Sequence, residues 1–420
     1  MPVDLSEIAL LDTHEHLRPE AERVSSGGDV LATFFFQYAS TDLLTAGLAQ
    51  RDLDFVRDPA QPLAERWRLV GPYWERARHT AYAHSLRIAA RDLYNVPDLT
   101  AETIGSLAEQ MCAASTAGLS ARVFDRAGIR LAIVQDIDPG PLPTPADPAA
   151  LIREVIKGVP MASVRSRAEL DQTAAALARP PAHSLSDWLD ICDAVFAAAS
   201  QTVALKLAHA YVCSLATSRP TRHEAETVFN RIVRRRELFT TDEALSWDEA
   251  RPLRDYLVHH LIRLAIAREL PIQVHTGLLE GTFNDVRDAH PHGLIPLLLE
   301  YREARFVLFH GGYPWLREFA VLGKSFPNVW LDLSWLWVIS PGAGRALLHE
   351  LIETIPANKV CAFGGDYAFV EGTYGHSQLA RQHIGRVLDE KIAEGWLSKA
   401  EAMAHARAVL HDNATQLYRV

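Results

Sequence analysis

Thiols are scarce in this chain. Its 420 residues include four cysteines, Cys112, Cys192, Cys213 and Cys361, and no CxxC pair. That excludes a disulfide framework and zinc-finger spacing. No run of about 18 or more uncharged apolar residues is present, so no membrane-spanning helix is expected. Basic surplus is missing as well: 42 Lys+Arg face 52 Asp+Glu, a formal charge of -10. Nucleic acid and anionic membranes are therefore poor partners. The one basic run, Arg231–Arg236 (RIVRRR), reads as a solvated helix face. The opening MPVDLSEIALLDTHEH lacks the basic and long apolar regions of a signal peptide, so a reducing cytoplasm is the expected compartment.

What remains is an ordinary globular composition, 48% hydrophobic and 22% charged. The length fits two domains, or one large barrel with an insertion. Short apolar, β-branched runs recur at Ile8–His14, Ile129–Asp136, Gly158–Val164, Thr202–Ala208, Ile272–His275, Arg305–His310, Val329–Leu333 and Lys359–Phe363. Between them lie segments such as Ala250–Glu269 and Gly344–Ile355 with apolar residues three and four apart. Strands alternating with helices imply parallel βαβ units, and eight of them imply an α/β fold of the (β/α)8 TIM-barrel type. Roughly 110 residues separate the first two strands, far more than a βα connection needs. That interval reads as helical (Asp42–Gly47, Leu63–Tyr73, His79–Leu93, Thr103–Ala113). The expected division is a barrel from residues 1–19 and 126–420, with residues 20–125 as a helical cap in the first βα loop. Such a loop emerges at the C-terminal face, so the cap would roof the pocket.

The strongest local signal is DTHEH, Asp12 to His16. On a regular strand Asp12, His14 and His16 face one way while Thr13 and Glu15 face the other. Two imidazoles two residues apart can occupy neighbouring positions around one divalent ion. Other strands end in His275 (VHTG), His310 (FHGG) and, after FGG, Asp366. Each alone also fits a hydrogen-bonded core residue or a helix cap; the ordered set HxH, His, His, Asp at strand ends points to a metal centre. Lys206, in VALKLAHA, shares its face with Ala204 and Ala208. A lysine in a crowded barrel is costly when charged and unpaired. It would serve as a paired core cation, an anion ligand, or, as a neutral amine, a carbamate bridging two metals. Downstream loops supply Tyr313, Trp315, Trp335, Trp337, Tyr367 and Tyr374, a rim suited to a flat ligand or to packing against the cap. His84, Arg87 and Arg91 share one helix face, where they would hold a substrate carboxylate or stand in solvent.

With these motifs the chain resembles the amidohydrolase superfamily. It is most similar to the amidohydrolase-related group that includes barrel domains fused to glutamine synthetases. The stretches alike are LKLAHAY, VHTG, FHGGYPW, NVWLDLSW, FGGD and DNATQLY. The cap and the DTHEH start also resemble uronate isomerase of that superfamily. The resemblance implies that His14, His16 and Asp366 hold a first metal, with His275, His310 and a carboxylated Lys206 holding a second. In mononuclear members His275 joins the single site and His310 is left to act on substrate. It implies zinc, or manganese, as one or two ions, with Asp366 and His310 as catalytic groups; the residues' own placement, on the cap helix and in the rim, makes Arg87, Arg91, Tyr313 and Trp335 the candidate substrate contacts. The implied activity is hydrolysis of a C–N or C–O bond in a small carbonyl compound, with a carboxylate-bearing substrate among the options. Isomerisation of a sugar acid and decarboxylation of an aromatic acid are the alternatives. A homo-oligomer is compatible with all of these.

Overall fold

A computed structural model describes residues 3–135, 149–238 and 244–420. Eight strands run in sequence order, each parallel to the next: β1 (Leu10–Glu15), β2 (Ile129–Val134), β3 (Ile152–Lys157), β4 (Ala204–Leu207), β5 (Ile272–Val274), β6 (Phe306–Leu308), β7 (Val329–Asp332) and β8 (Val360–Cys361). At the seam the Thr13 N–H donates to Phe363 O (3.2 Å) and the Asp366 N–H to His14 O (2.8 Å). Helices surround the strands, so the molecule is a (β/α)8 TIM barrel. Among the described residues no helix is long and apolar enough to cross a membrane.

One strand lies elsewhere than expected. The third is IREVIK, Ile152–Lys157, and the segment read as a strand, Gly158–Val164, holds the short helix Val159–Ala162. Pro160 has no N–H for a ladder and fits the first turn of a helix. The ladder's last bond there is the Gly158 N–H to Lys206 O, 2.9 Å. Three charged residues in IREVIK masked its β-branched Ile152, Val155 and Ile156. Asp136, the expected end of the second strand, lies outside the described residues, as do the last side chains of the basic run; its first residues belong to helix Arg222–Leu238.

Eight helices, Glu20–Ser26 to Leu119–Ala127, fill the interval between β1 and β2. Residues from Val30 to Met111 form an apolar core of their own, with Phe34, Phe35, Leu53 and Trp74 at its centre. The last helix, Leu119–Ala127, instead buries Val123 and Phe124 in the barrel's core.

Candidate metal centre

The strand ends bring the titratable set together. His16 Nε2 lies 3.3 Å from Asp366 Oδ1, and His14 Nε2 lies 3.5 Å from the same oxygen. His16 Nδ1 faces the carbonyl of Gln135 at 2.8 Å. A carbonyl only accepts, so Nδ1 carries a hydrogen there, and the ring is held with Nε2 toward Asp366. Lys206 Nζ is 3.1 Å from His14 Nε2 and 3.9 Å from the centre of the Phe309 ring. Burial pushes this amine down to about 7, with Asp366 and Asp332 opposing. Burial likewise raises Asp332 to about 7.

His275 and His310 form a second pair. His275 Nε2 donates to Leu278 O (2.8 Å), and His310 Nδ1 faces Ser334 O (3.1 Å). Burial pushes His275 down to about 3 and His310 well below the imidazole range. Each ring is therefore neutral with one hydrogen, and each hydrogen is committed to a carbonyl. His275 Nδ1 and His310 Nε2 then face each other at 3.0 Å with lone pairs and no proton between them. Two nitrogens on one tetrahedral zinc at about 2.0–2.1 Å lie roughly 3.3 Å apart, so this spacing fits a shared cation. His310 Nδ1 is also 3.5 Å from Asp366 Oδ2, which links the two groups. The donor set, imidazole and carboxylate with one amine, suits a divalent ion of the zinc or manganese kind.

The backbone at these ends is unusual. His310 (φ 65°), Trp335 (φ 66°) and Asp366 (φ 60°) all sit in the left-handed region. Non-glycine residues adopt it at some cost, and such positions gather at functional sites.

The expected alternation along β1 fails at one point. Asp12 is opposite Ala132 and Glu15 opposite Val134, three steps against two, so β1 carries a bulge. Glu15 is thereby brought to Asp12's side. Asp12 Oδ1 accepts from the N–H groups of His14 (3.1 Å) and Gly365 (3.0 Å), and Glu15 Oε2 accepts from Tyr367 (2.7 Å). Burial, then the charge of Asp12, raises Glu15 well above the carboxylate range, so Glu15 is the protonated member. This pair braces the backbone of β1 against the β8 loop.

A cavity of about 670 Å³ opens onto the centre, lined by His14, His16, Lys206, His275 and Asp366. Tyr38, Tyr211 and Glu280 also line it, and sequence reasoning passed over all three. Tyr38 comes from the cap and donates to the backbone carbonyl of Asp366. No local motif marks such a residue; only the chain's return over the barrel places it there.

The expected substrate contacts are placed differently. Arg87 pairs with Asp98 (2.8 Å) and Arg91 with its neighbour Asp92 (2.7 Å); neither lines the cavity. Tyr313 is half-buried and outside the lining. Trp335 is buried, stacked on Tyr38 (4.7 Å between centroids) and edge-on to His310 (5.3 Å), so it joins cap to centre. Of these four, Trp335 alone lays its side chain against the candidate ligands, His275 and His310; Tyr313 meets His310 through its backbone N–H (3.2 Å).

An eight-stranded parallel barrel with His, Lys and Asp at its strand ends defines a class of catalytic barrels. The amidohydrolase family model matches residues 144–420, about two thirds of the chain, and the chain belongs to that family, as an enzyme of the amidohydrolase superfamily. Protein fluG of Emericella nidulans is 30% identical over 178 residues. That match spans 41% of this chain and 20% of that protein. Uronate isomerase of Thermotoga maritima has a TM-score of 0.78 at 14% identity, covering 98% of this chain and 95% of that one. Glucuronate isomerase of Caulobacter crescentus has a TM-score of 0.77 at 18% identity, covering 99% and 92%. These structural likenesses concern the fold, cap included.

Proposed function

We propose that the chain is a metal-dependent hydrolase cleaving an amide, imide, ester or lactone bond of a small carbonyl compound. The observation that carries this reading is the convergence of His14, His16 and Asp366 beside the 3.0 Å contact between His275 and His310. His14, His16 and Asp366 would hold a first zinc or manganese ion, with His275 and His310 at a second and Lys206, as a carbamate, between them. When bound, such an ion acidifies water and polarises a carbonyl, which is what hydrolysis at neutral pH requires. Asp366 reaches both groups, so its carboxylate takes the attacking water's proton and delivers it to the leaving group. The hydrogen on His310 Nδ1 is fixed on Ser334 O, which holds the ring with Nε2 toward the cavity side. Trp335 and Tyr38 close off water behind the reacting carbonyl.

The test is elemental analysis of protein purified without chelator, joined to hydrolysis assays on p-nitrophenyl esters and p-nitroanilides. Near-stoichiometric metal and turnover lost with chelator are expected. Metal content unchanged in a His14→Ala, His16→Ala double variant would overturn the assignment. A second reading, a sugar-acid isomerase, draws support from a fold likeness that includes the cap. Conversion of glucuronate to a ketose, followed by NMR, would favour it.

A further inference from the structure

Arginines of the cap and its neighbourhood mostly hold carboxylates: Arg23 with Glu371 (2.6 Å), Arg66 with Asp29 (2.5 Å), Arg87 with Asp98 (2.8 Å). Arg18 and Arg57 differ. Among the described residues neither guanidinium has an ion-pair or hydrogen-bond partner, and Arg57 Nε is buried without one. Both lie against a single ring, with Cζ of Arg18 4.1 Å and Cζ of Arg57 4.9 Å from the centre of Phe36. Arg18 is exposed and Arg57 half-buried; each guanidinium is attracted to the ring, and an anion between the two would offset the repulsion of like charges gathered on one side chain. Burial and then the charge of Arg18 act together to lower Arg57 below the guanidinium range, with Asp54 and Glu280 opposing.

This arrangement is held on the metal centre by its backbone. The His16 N–H donates to Tyr367 O (2.9 Å) and the Arg18 N–H to Ala368 O (3.3 Å), so β1 runs on, paired with the segment that follows Asp366. The Ala368 N–H in turn donates to Gln37 Oε1 (2.7 Å), next to Phe36. Arg57 closes the cap helix Gln50–Arg57. Phe36 is a shared wall: it lines the 670 Å³ cavity of the metal centre and a second of about 290 Å³, which Arg18 also lines. Three separate elements thus bring two cations without ion-pair partners onto Phe36, the ring that walls the catalytic cavity.

We propose that Arg18 and Arg57 form a carboxylate clamp, and that the substrate places a carboxylate there while its scissile carbonyl lies at His14, His16 and Asp366. A guanidinium's planar fork matches a carboxylate through paired hydrogen bonds. The carbonyl compound of the proposed reaction is then an acidic one, and the assignment rests on that reading of the centre. Neither arginine is needed as a metal ligand, so the clamp sets specificity while the metal centre performs the bond cleavage.

The probes are hydroxamates, whose heads chelate a metal ion. Acetohydroxamate reports the centre; the monohydroxamates of succinic, glutaric and adipic acid add a carboxylate at increasing reach. Alkyl hydroxamates of matching length control for chain length. Affinities for the metal-loaded protein are measured by calorimetry. At least one carboxylated probe is expected to bind about tenfold more tightly than its alkyl match. In an Arg18→Gln, Arg57→Gln double variant that preference disappears, while acetohydroxamate affinity and metal content hold. No preference in the wild type, a preference that survives in the variant, or acetohydroxamate binding lost with the arginines each overturns the clamp. Metal-loaded wild type that binds no hydroxamate at all overturns the reading of an open metal centre, and the clamp with it.

Discussion

Lys206 shows most directly how burial sets chemistry at the scale of one residue. Its amine is 2% exposed and faces an imidazole nitrogen in place of a carboxylate. The folded value of about 7 lies below the unfolded 10.5, so between those values the unfolded chain binds the extra proton. Stability then rises with pH across that window, by about 1.4 kcal/mol per unit, and the full penalty is present at and below the folded value. In the metal-free protein, Lys206→Met should be more stable than wild type by several kcal/mol at neutral pH. The two curves should converge as pH rises past the unfolded value, which denaturant titration at a series of pH values checks. The same low value supplies neutral amine for carbamate formation, so 13C-bicarbonate should give a carbamate NMR signal that Lys206→Met lacks. On the proposed reading Asp366→Asn removes a proton carrier as well as a charged ligand; a fall in kcat of about 10²–10⁴ is expected. Added metal separates the two losses, because it corrects a mere ligand defect and does not replace a missing base.

Elements decide which of these residues meet. His14, His16, His275, His310 and Asp366 were legible in the sequence because each ends or follows a strand, and barrel geometry collects strand ends at one face. Glu15 was not, because a bulge in β1 turns it against the period-two pattern. The third strand was missed because its charged residues hid its β-branched ones. Phe36, Arg57 and Arg18 were invisible as a group, since three separate elements contribute one residue each and no motif joins them. One glycine shows how closely the ends are fitted. Gly277 follows the β5 histidine with φ +83°, and a Cβ there would stand 2.5 Å from Tyr313 O and 2.7 Å from Gly312 C. Both the left-handed backbone and the clash resist a side chain. Gly277→Ala should cost about 1–3 kcal/mol in denaturant unfolding. It should also push the β5 end from the β6 end, opening the His275–His310 contact and lowering bound metal. Normal metal content in a destabilised variant would confine the effect to the loop.

For the molecule as a whole, the question is how tightly the cap is joined to the barrel that carries the ligands. The long helix Val370–Ala393 begins just after Asp366 and crosses the cap helix Ala81–Tyr94 at Gly375, where an added Cβ would lie 2.0 Å from Ser85 O. Polar contacts flank that crossing: Ser85 Oγ with Tyr367 Oη (2.8 Å), and Tyr94 Oη donating to Glu371 (2.6 Å). The cap's Tyr38 reaches the carbonyl of Asp366 itself. A bulky residue at 375 therefore has no room unless the cap helix lifts, and lifting it withdraws Tyr38 and Phe36 from the cavity. Gly375→Leu is expected to lower Tm by several degrees and to expose the 20–127 interval to limited proteolysis. The proposed metal ligands come from β1, β4, β5, β6 and the β8 loop, so metal content should stay near wild type while activity falls. If metal is lost in step with cap docking, the cap is part of the centre and not only its roof. If proteolysis and Tm are unchanged, the crossing has room that the 2.0 Å between an added Cβ and Ser85 O denies.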